Sequence, residues 1–165
     1  MLAFGYRWAR QHDLAIAEAR KAQACNPNDA WAFGMVGFMI DLAGQHRQGA
    51  EIAERAMALN PRDPRAKLYP AVIGRAYLVE RDYATAEVWA RRAVEADSTN
   101  PRSHVLLACV LGHRGQKSDA ADALETAERL RPGFAAHWLA GREYRNDADN
   151  EHLAEGLKKA GSKLK

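Results

Sequence analysis

The apolar positions of this chain are filled mainly by Ala, and polar turn signals divide them into segments of about a dozen residues. Good helix formers occupy nearly every window and strongly β-favouring residues are few, so the sequence predicts an all-α fold. Allowing two to four residues of error at each end, we place the helices as follows. They lie at about 1–10, 12–25, 29–43, 46–59, 64–80, 82–96, 101–113, 116–130, 134–145 and 148–160.

Four of these segments end in the same way, at residues 27, 61, 98 and 132. The endings are 34, 37 and 34 positions apart, so the third unit carries an insertion of three residues. A small residue stands twelve positions before each ending, namely Ala15, Gly49, Ala86 and Ala120. A repeat of this length predicts a stack of similar helical hairpins.

Small residues also recur on the first helix of the hairpins, at Gly37 and Gly74. A larger side chain there would hold the two helix backbones apart, so these positions predict close helix contact. Asn-Pro and Arg-Pro pairs end the second helices because proline cannot continue a helix. Gly44 and Gly115 mark the turns inside two of the hairpins.

This pattern resembles the tetratricopeptide-repeat (TPR) family, whose 34-residue unit places small, aromatic and proline residues at set positions. The match departs at Phe33, Pro70 and His104, which replace a Trp, and at Ser98, which replaces a Pro. The resemblance implies a right-handed α-solenoid with a concave inner face. It also implies about four units, at residues 1–27, 28–61, 62–98 and 99–132, followed by capping helices and a basic tail at 133–165.

The last segment begins like a fifth unit and then departs from the repeat. Trp138 stands where a fifth unit would place its large residue, but Arg142 and Arg145 take the small and Tyr positions. Leu153 and Leu157, four residues apart, predict an amphipathic cap of the kind that a solenoid needs at its end. The tail carries Lys158, Lys159, Lys163 and Lys165.

This ending resembles the C-terminal end of TPR regions appended to bacterial class III adenylate cyclases and to some winged-helix transcriptional regulators. The resemblance covers residues 1–161 and implies an alternative function. The chain would be the regulatory segment of such a signalling protein, and the output domain would lie outside this sequence. No cyclase or winged-helix motif occurs in the sequence itself.

Charge and composition narrow the classes of partner. The net charge of +3 comes from 24 basic and 21 acidic residues that are interspersed, which does not favour nucleic-acid binding. No apolar run reaches the roughly 18 residues of a membrane span, so membrane insertion is not expected. Two cysteines are too few for a disulfide scaffold, and a reducing compartment, the cytoplasm, fits them best.

The sequence offers no recognisable catalytic, metal or cofactor site. The six histidines form neither a His-x-x-x-His nor a His-Glu-x-x-His spacing, and no cysteine lies beside them as a metal site would require. No titratable cluster typical of an active site is visible. We therefore expect a binding protein with no cofactor rather than an enzyme.

The concave face of the implied solenoid is the candidate binding surface. In the TPR register it presents aromatic and arginine side chains that suit an extended or helical peptide. An alternative is that Trp31 and Phe38 are partly covered by neighbouring helices. The predicted site comprises Trp31, Phe38, Asp41, Arg75, Leu78, Arg102 and Val105. The expected function is a scaffold for protein-protein interaction with a protein or peptide partner that the sequence does not name.

Overall fold

The computed structural model describes residues 2–161, and Met1, Lys163 and Lys165 lie outside this range. Within it the chain forms ten α-helices and one short 3-10 helix, and no strand. The helices are α1 (Leu2–Trp8), α2 (His12–Cys25), α3 (Ala30–Leu42), α4 (His46–Leu59), α5 (Tyr69–Val79), α6 (Tyr83–Ala96), α7 (Pro101–His113), α8 (Lys117–Leu130), α9 (Phe134–Ala140) and α10 (Asp147–Lys159). The 3-10 helix, Pro64–Leu68, directly precedes α5.

Consecutive helices pair into hairpins, α1 with α2, α3 with α4, α5 with α6 and α7 with α8, and each hairpin packs on the next. The odd-numbered helices form an inner layer and the even-numbered helices α2 to α8 an outer one. The whole is a helical solenoid, as the fold prediction stated. No helix within residues 2–161 is both long and apolar enough to cross a membrane.

Side-chain caps fix the starts of several helices. Asp29 accepts a hydrogen bond from the backbone N–H of Trp31 at 3.0 Å, and Asn100 accepts one from Arg102 at 3.1 Å. Each satisfies an N–H that has no partner within the helix.

One predicted helix is divided in two. The sequence indicated a single helix over 64–80, whereas a 3-10 turn occupies Pro64–Leu68 and the α-helix begins at Tyr69. Pro70 has no N–H to donate and disfavours helical backbone at the residue before it, so an α-helix cannot run through it undisturbed.

The close contacts predicted at glycines are confirmed. Gly37 lies against α4, and a Cβ added to it would stand 2.7 Å from the carbonyl oxygen of Gly49. Gly74 lies against α6, where an added Cβ would stand 3.2 Å from the backbone nitrogen of Ala90. At Gly37 the two helix backbones approach more closely than a side chain would permit, and at Gly74 an added methyl group would require the neighbouring helix to shift by a few tenths of an ångström.

The C-terminal part of the chain folds back along the inner layer. After α9, residues 141–146, which we call the strap, reach the end of α3, where the Arg145 N–H donates to the carbonyl of Leu42 at 2.8 Å. Helix α10 then packs mainly on α7. Leu153 and Leu157 are buried there, 7% and 0% exposed. The predicted helix over 134–145 ends early, at Ala140, because the chain turns into the strap.

Candidate functional site

An open cavity of about 290 Å³ lies on the inner layer of the solenoid. Its walls come only from α1, α3, the 3-10 helix, α5, α7 and α9, so every hairpin contributes its first helix. It is lined by Phe4, Arg7, Trp31, Gly34, Met35, Phe38, Leu68, Tyr69, Ala71, Val72, Arg75, Arg102, Leu106 and Trp138. A concave, mostly apolar cavity with a few convergent polar groups is the usual form of a ligand site.

Four of the seven predicted site residues line this cavity. Trp31 and Phe38 come from α3, Arg75 from α5 and Arg102 from α7. Trp31, Phe38 and Arg102 are partly exposed, whereas only 5% of Arg75 is exposed. The helical register thus brings side chains from three successive hairpins to one place.

The other three predicted residues are corrected by the structure. Asp41, Leu78 and Val105 are each 0% exposed and belong to the interior. The sequence register assumed an open inner face along the whole length of each helix. Instead, Asp41 accepts a hydrogen bond from Tyr144 of the strap, and Leu78 and Val105 lie in the buried cluster that α5 and α7 share with residues of α9 and α10.

Buried charges link the inner helices to the strap. The carboxylate of Glu143 accepts hydrogen bonds from Arg7 at 3.0 Å and from Arg75 at 3.1 Å. Arg75 also donates to Asp41 at 3.0 Å, and the Tyr144 hydroxyl donates to the same carboxylate at 3.1 Å. Pairing of this kind is what allows charged groups to remain in an interior.

His46 completes this network at the start of α4. Its Nδ1 lies 2.8 Å from Asp41 and its Nε2 3.2 Å from Asp149 on α10. Burial disfavours the charged imidazole, but the hydrogen bond to Asp41 and the two carboxylates outweigh it and raise the pKa of His46. The network therefore joins α3, α4, α5, the strap and α10.

Sequence reasoning missed part of the cavity wall and all of the strap contacts. Val72, Leu106 and Trp138 were not predicted, although Trp138 stands at the large-residue position of an incomplete fifth unit. Met35 packs against the core between α2 and α3 and also lines the cavity. Glu143 and Tyr144 follow the point where the repeat fails, so no register assigned them to a face.

The structure also gathers His113 from α7 and His152 and Glu155 from α10, with potential ligand atoms within 4.8 Å of one another. No spacing rule within one segment could show this cluster, because its members come from two helices. The rings of the two histidines are stacked with their centroids 4.1 Å apart, so the lone pairs of their nitrogens lie in nearly parallel planes and do not converge on one point. The carboxylate of Glu155 is paired with the Lys159 ammonium at 2.8 Å. Packing between α7 and α10 accounts for this arrangement better than metal ligation does.

No family model and no curated protein matches this sequence. Among solved structures, MamA matches with a TM-score of 0.65 at 18% identity, covering 97% of this chain and 92% of MamA. A MamA segment from Desulfovibrio magneticus matches with a TM-score of 0.62 at 15% identity, covering 99% of this chain and 94% of that one.

YrrB, described as a TPR protein with an unusual peptide-binding site, matches with a TM-score of 0.58 at 18% identity. The match covers 96% of this chain and 80% of YrrB. Identities this low speak for the fold alone. With its paired helices, its close-contact glycines and these neighbours, the chain has the all-α solenoid fold of TPR proteins.

Proposed function

We propose that this protein is an interaction scaffold that binds a peptide segment of a partner protein in the cavity of the inner layer, without catalysis. The observation that carries the proposal is the cavity itself, which is open, largely apolar and lined by every hairpin in turn. An extended segment lying across the inner helices would contact several repeats at once, which is how such surfaces are used for recognition.

The neighbours add support of a limited kind. YrrB is described as carrying a peptide-binding site, and it shares the fold of this chain. The division into four units at 1–27, 28–61, 62–98 and 99–132, with the rest as a cap, belongs to the same proposal, because each unit then supplies one wall of the cavity.

Capture of a partner by chemical cross-linking in the native cell tests the proposal. We expect Arg102→Glu to abolish the cross-linked product, since it reverses a charge in the cavity wall. Arg20→Glu reverses an exposed charge on α2 and should leave the product intact. Both variants should keep the helical content of the parent. Equal cross-linking by the parent and by Arg102→Glu would exclude the cavity as the binding site.

The alternative, a regulatory segment of a bacterial adenylate cyclase or transcriptional regulator, draws support from the C-terminal region. Residues 130–161 resemble the ends of such proteins, and α10 within them packs on α7. The neighbouring genomic sequence separates the two proposals. Cyclase or winged-helix motifs in the same reading frame would favour the regulatory role, and their absence would remove it.

A further inference from the structure

We infer that the partner segment carries an acidic side chain that pairs with Arg102, next to a bulky apolar side chain that fills the cavity. This inference rests on the proposed function and specifies the chemistry of its ligand. It rests on the three arginines of the cavity, on the aromatic residues of its wall, and on the fact that carboxylates pair with two of these arginines and not with the third.

The cavity holds three guanidinium groups, and two of them are already neutralised. Glu143 bridges Arg7 and Arg75, and Asp41 binds Arg75 from the other side. Within residues 2–161, Arg102 has no carboxylate at ion-pair distance. Its guanidinium faces the aromatic ring of Phe134 at 6.0 Å. Arg102 is therefore a guanidinium of the cavity wall with which no carboxylate of residues 2–161 forms an ion pair.

The surroundings of Arg102 raise the free energy of its unpaired charge. Burial lowers the pKa of Arg102, and the charges of Arg75 and Arg7 act in the same direction, while Glu143 opposes them. An arginine remains charged in spite of this, so the desolvation of its charge is not relieved by loss of a proton. A ligand carboxylate at Arg102 would relieve it, and a guanidinium binds a carboxylate with two parallel hydrogen bonds.

Two further donors in the walls lack acceptors. The Nε atoms of Arg7 and Arg75 are buried and have no hydrogen-bond partner in the described part of the chain, and these side chains are 7% and 5% exposed. Both atoms are closed off from solvent, so they leave positive charge in the cavity wall without offering a hydrogen bond to a ligand.

The rest of the cavity wall is apolar and favours a bulky apolar side chain next to the acidic one in the partner segment. Phe4, Trp31, Phe38, Leu106 and Trp138 surround about 290 Å³ of space. Arg75 is itself stacked over Phe38 at 4.8 Å, which fixes both groups. A Phe, Leu or Trp side chain would remove this surface from water, whereas a small or polar residue would leave the cavity wet.

A carboxylate suits the site better than a phosphate. Glu143 lies in the same network, and its negative charge would repel a phosphate dianion more strongly than a single carboxylate. Among the described residues that line the cavity, Arg102 is the one guanidinium without an ion-pair partner, whereas nucleic-acid sites use extended basic stripes. We therefore assign the cavity to a peptide that carries one acidic and one bulky apolar side chain. Preferential binding of a phosphorylated peptide is the competing outcome.

Retention of peptide pools on the immobilised chain tests the assignment. Each pool contains ten-residue peptides that are random except for two central positions, fixed as Asp-Phe, Asn-Phe, Asp-Ala or phosphoserine-Phe. The Asp-Phe pool should be retained most, and exchange of Asp for Asn should weaken binding by about tenfold, the usual scale for loss of one charged hydrogen-bonded pair.

Two variants show whether Arg102 is responsible for the discrimination between the Asp-Phe and Asn-Phe pools. Arg102→Gln should retain the Asp-Phe and Asn-Phe pools equally while it still prefers Phe over Ala, and Arg20→Gln should behave like the parent. Equal retention of the Asp and Asn pools by the parent, or discrimination that persists in Arg102→Gln, would overturn the acidic assignment. A preference for Phe over Ala would in that case still support the proposed function.

Two other results also count against the assignment. Stronger retention of the phosphoserine pool, or displacement of Asp-Phe peptides by an oligodeoxythymidine, would assign the cavity to phosphate instead. Retention of no pool above that on a bare support would contradict both the assignment and the proposed function.

Discussion

At the scale of single residues, side-chain size sets the distance between helices. Gly37 and Gly49 face each other across the hairpin of α3 and α4, and a Cβ on either would stand 2.7 Å from the carbonyl oxygen of the other. The atoms that an added Cβ would meet are backbone carbonyl oxygens, which cannot move aside by a side-chain rotation. The two helices would have to separate, and the apolar contacts around them would be lost.

We predict that Gly37→Ala lowers the free energy of unfolding by about 1 to 3 kcal/mol, because overpacking outweighs the gain in helix propensity. Gly5→Ala is the matched control, since Gly5 lies in α1 and the exchange for Ala there meets no atom of residues 2–161 outside α1 within 4 Å of the added Cβ. It should be neutral or stabilising by up to about 1 kcal/mol. Urea unfolding followed by circular dichroism measures both. A Gly37→Ala variant as stable as the parent would mean that α3 and α4 pack less closely than described.

Turn conformation is a second property of single residues, and the sequence shows it only in part. Gly44 and Gly115 adopt positive φ angles of 96° and 75° in the turns of their hairpins. Glycine has no Cβ and adopts such angles readily, so the sequence predicted these turns. Arg10 and Arg81 adopt the same left-handed region, with φ of 57° and 63°, at the corresponding turns of the first and third hairpins. An arginine carries no such signal, so the repeat geometry imposes this conformation on it.

At the scale of elements, the contact between α7 and α10 depends on uncharged histidines. Burial, the neighbouring His113 and Arg81 lower the pKa of His152 to about 4, and burial also lowers that of His113. The groups that face the pair are Tyr83, which stacks on both rings, Glu155, Lys159 and Arg81. Protonation would place two positive charges face to face.

This lowered pKa predicts a loss of stability in acid. The unfolded chain takes up a proton at His152 near pH 6.5 and the folded chain only near pH 4, so stability falls as the pH falls between these values. From about pH 7.5 to 5.5, His152 alone should account for about 1 kcal/mol. His113 acts in the same direction, whereas His46, whose pKa is raised, contributes stability that is lost as the pH rises above 6.5.

Urea unfolding at both pH values, for the parent and for His152→Gln, isolates this contribution. The variant should lose about 1 kcal/mol less between the two pH values than the parent does, whatever its stability at neutral pH. Histidines other than His113, which is stacked on His152, titrate alike in both proteins and cancel in the comparison. The same pH dependence in both would show that His152 is not held neutral by its surroundings.

At the scale of the whole molecule, the strap joins the two ends of the solenoid. Arg7 in the first hairpin binds Glu143 across 136 positions of sequence, and Arg10 binds the carbonyl of Tyr144. A repeat protein otherwise contacts only its nearest neighbours along the stack. The strap therefore adds long-range contacts that should make unfolding of the first and last hairpins more cooperative.

Removal of the charge at Glu143 tests this closure. Glu143→Gln leaves Arg7 unpaired and Arg75 with Asp41 alone, so we expect a loss on the order of 3 kcal/mol in the free energy of unfolding. Glu125→Gln, at an exposed position of α8, should stay within about 0.5 kcal/mol of the parent. Calorimetry measures both, and an unchanged melting temperature for Glu143→Gln would show that the strap contributes no closure.

The sequence by itself determined the fold class, most helix positions and the close contacts at Gly37 and Gly74. These follow from local signals: helix propensity, proline at the ends and small residues that return at a fixed period. Because each hairpin repeats the last, the sequence also predicted that Trp31, Phe38, Arg75 and Arg102 share the inner face, and in the structure these four line one cavity.

Only the tertiary structure decided which part of the inner face stays open. Asp41, Leu78 and Val105 obey the same register as the cavity residues, and yet they are 0% exposed and belong to the interior. The strap has no repeat period, and its contacts span more than a hundred residues, so no local pattern could assign Glu143 or Tyr144 to that face. Local sequence fixes how each hairpin is built, whereas the path of the last segment depends on buried charges that meet only when the chain is folded.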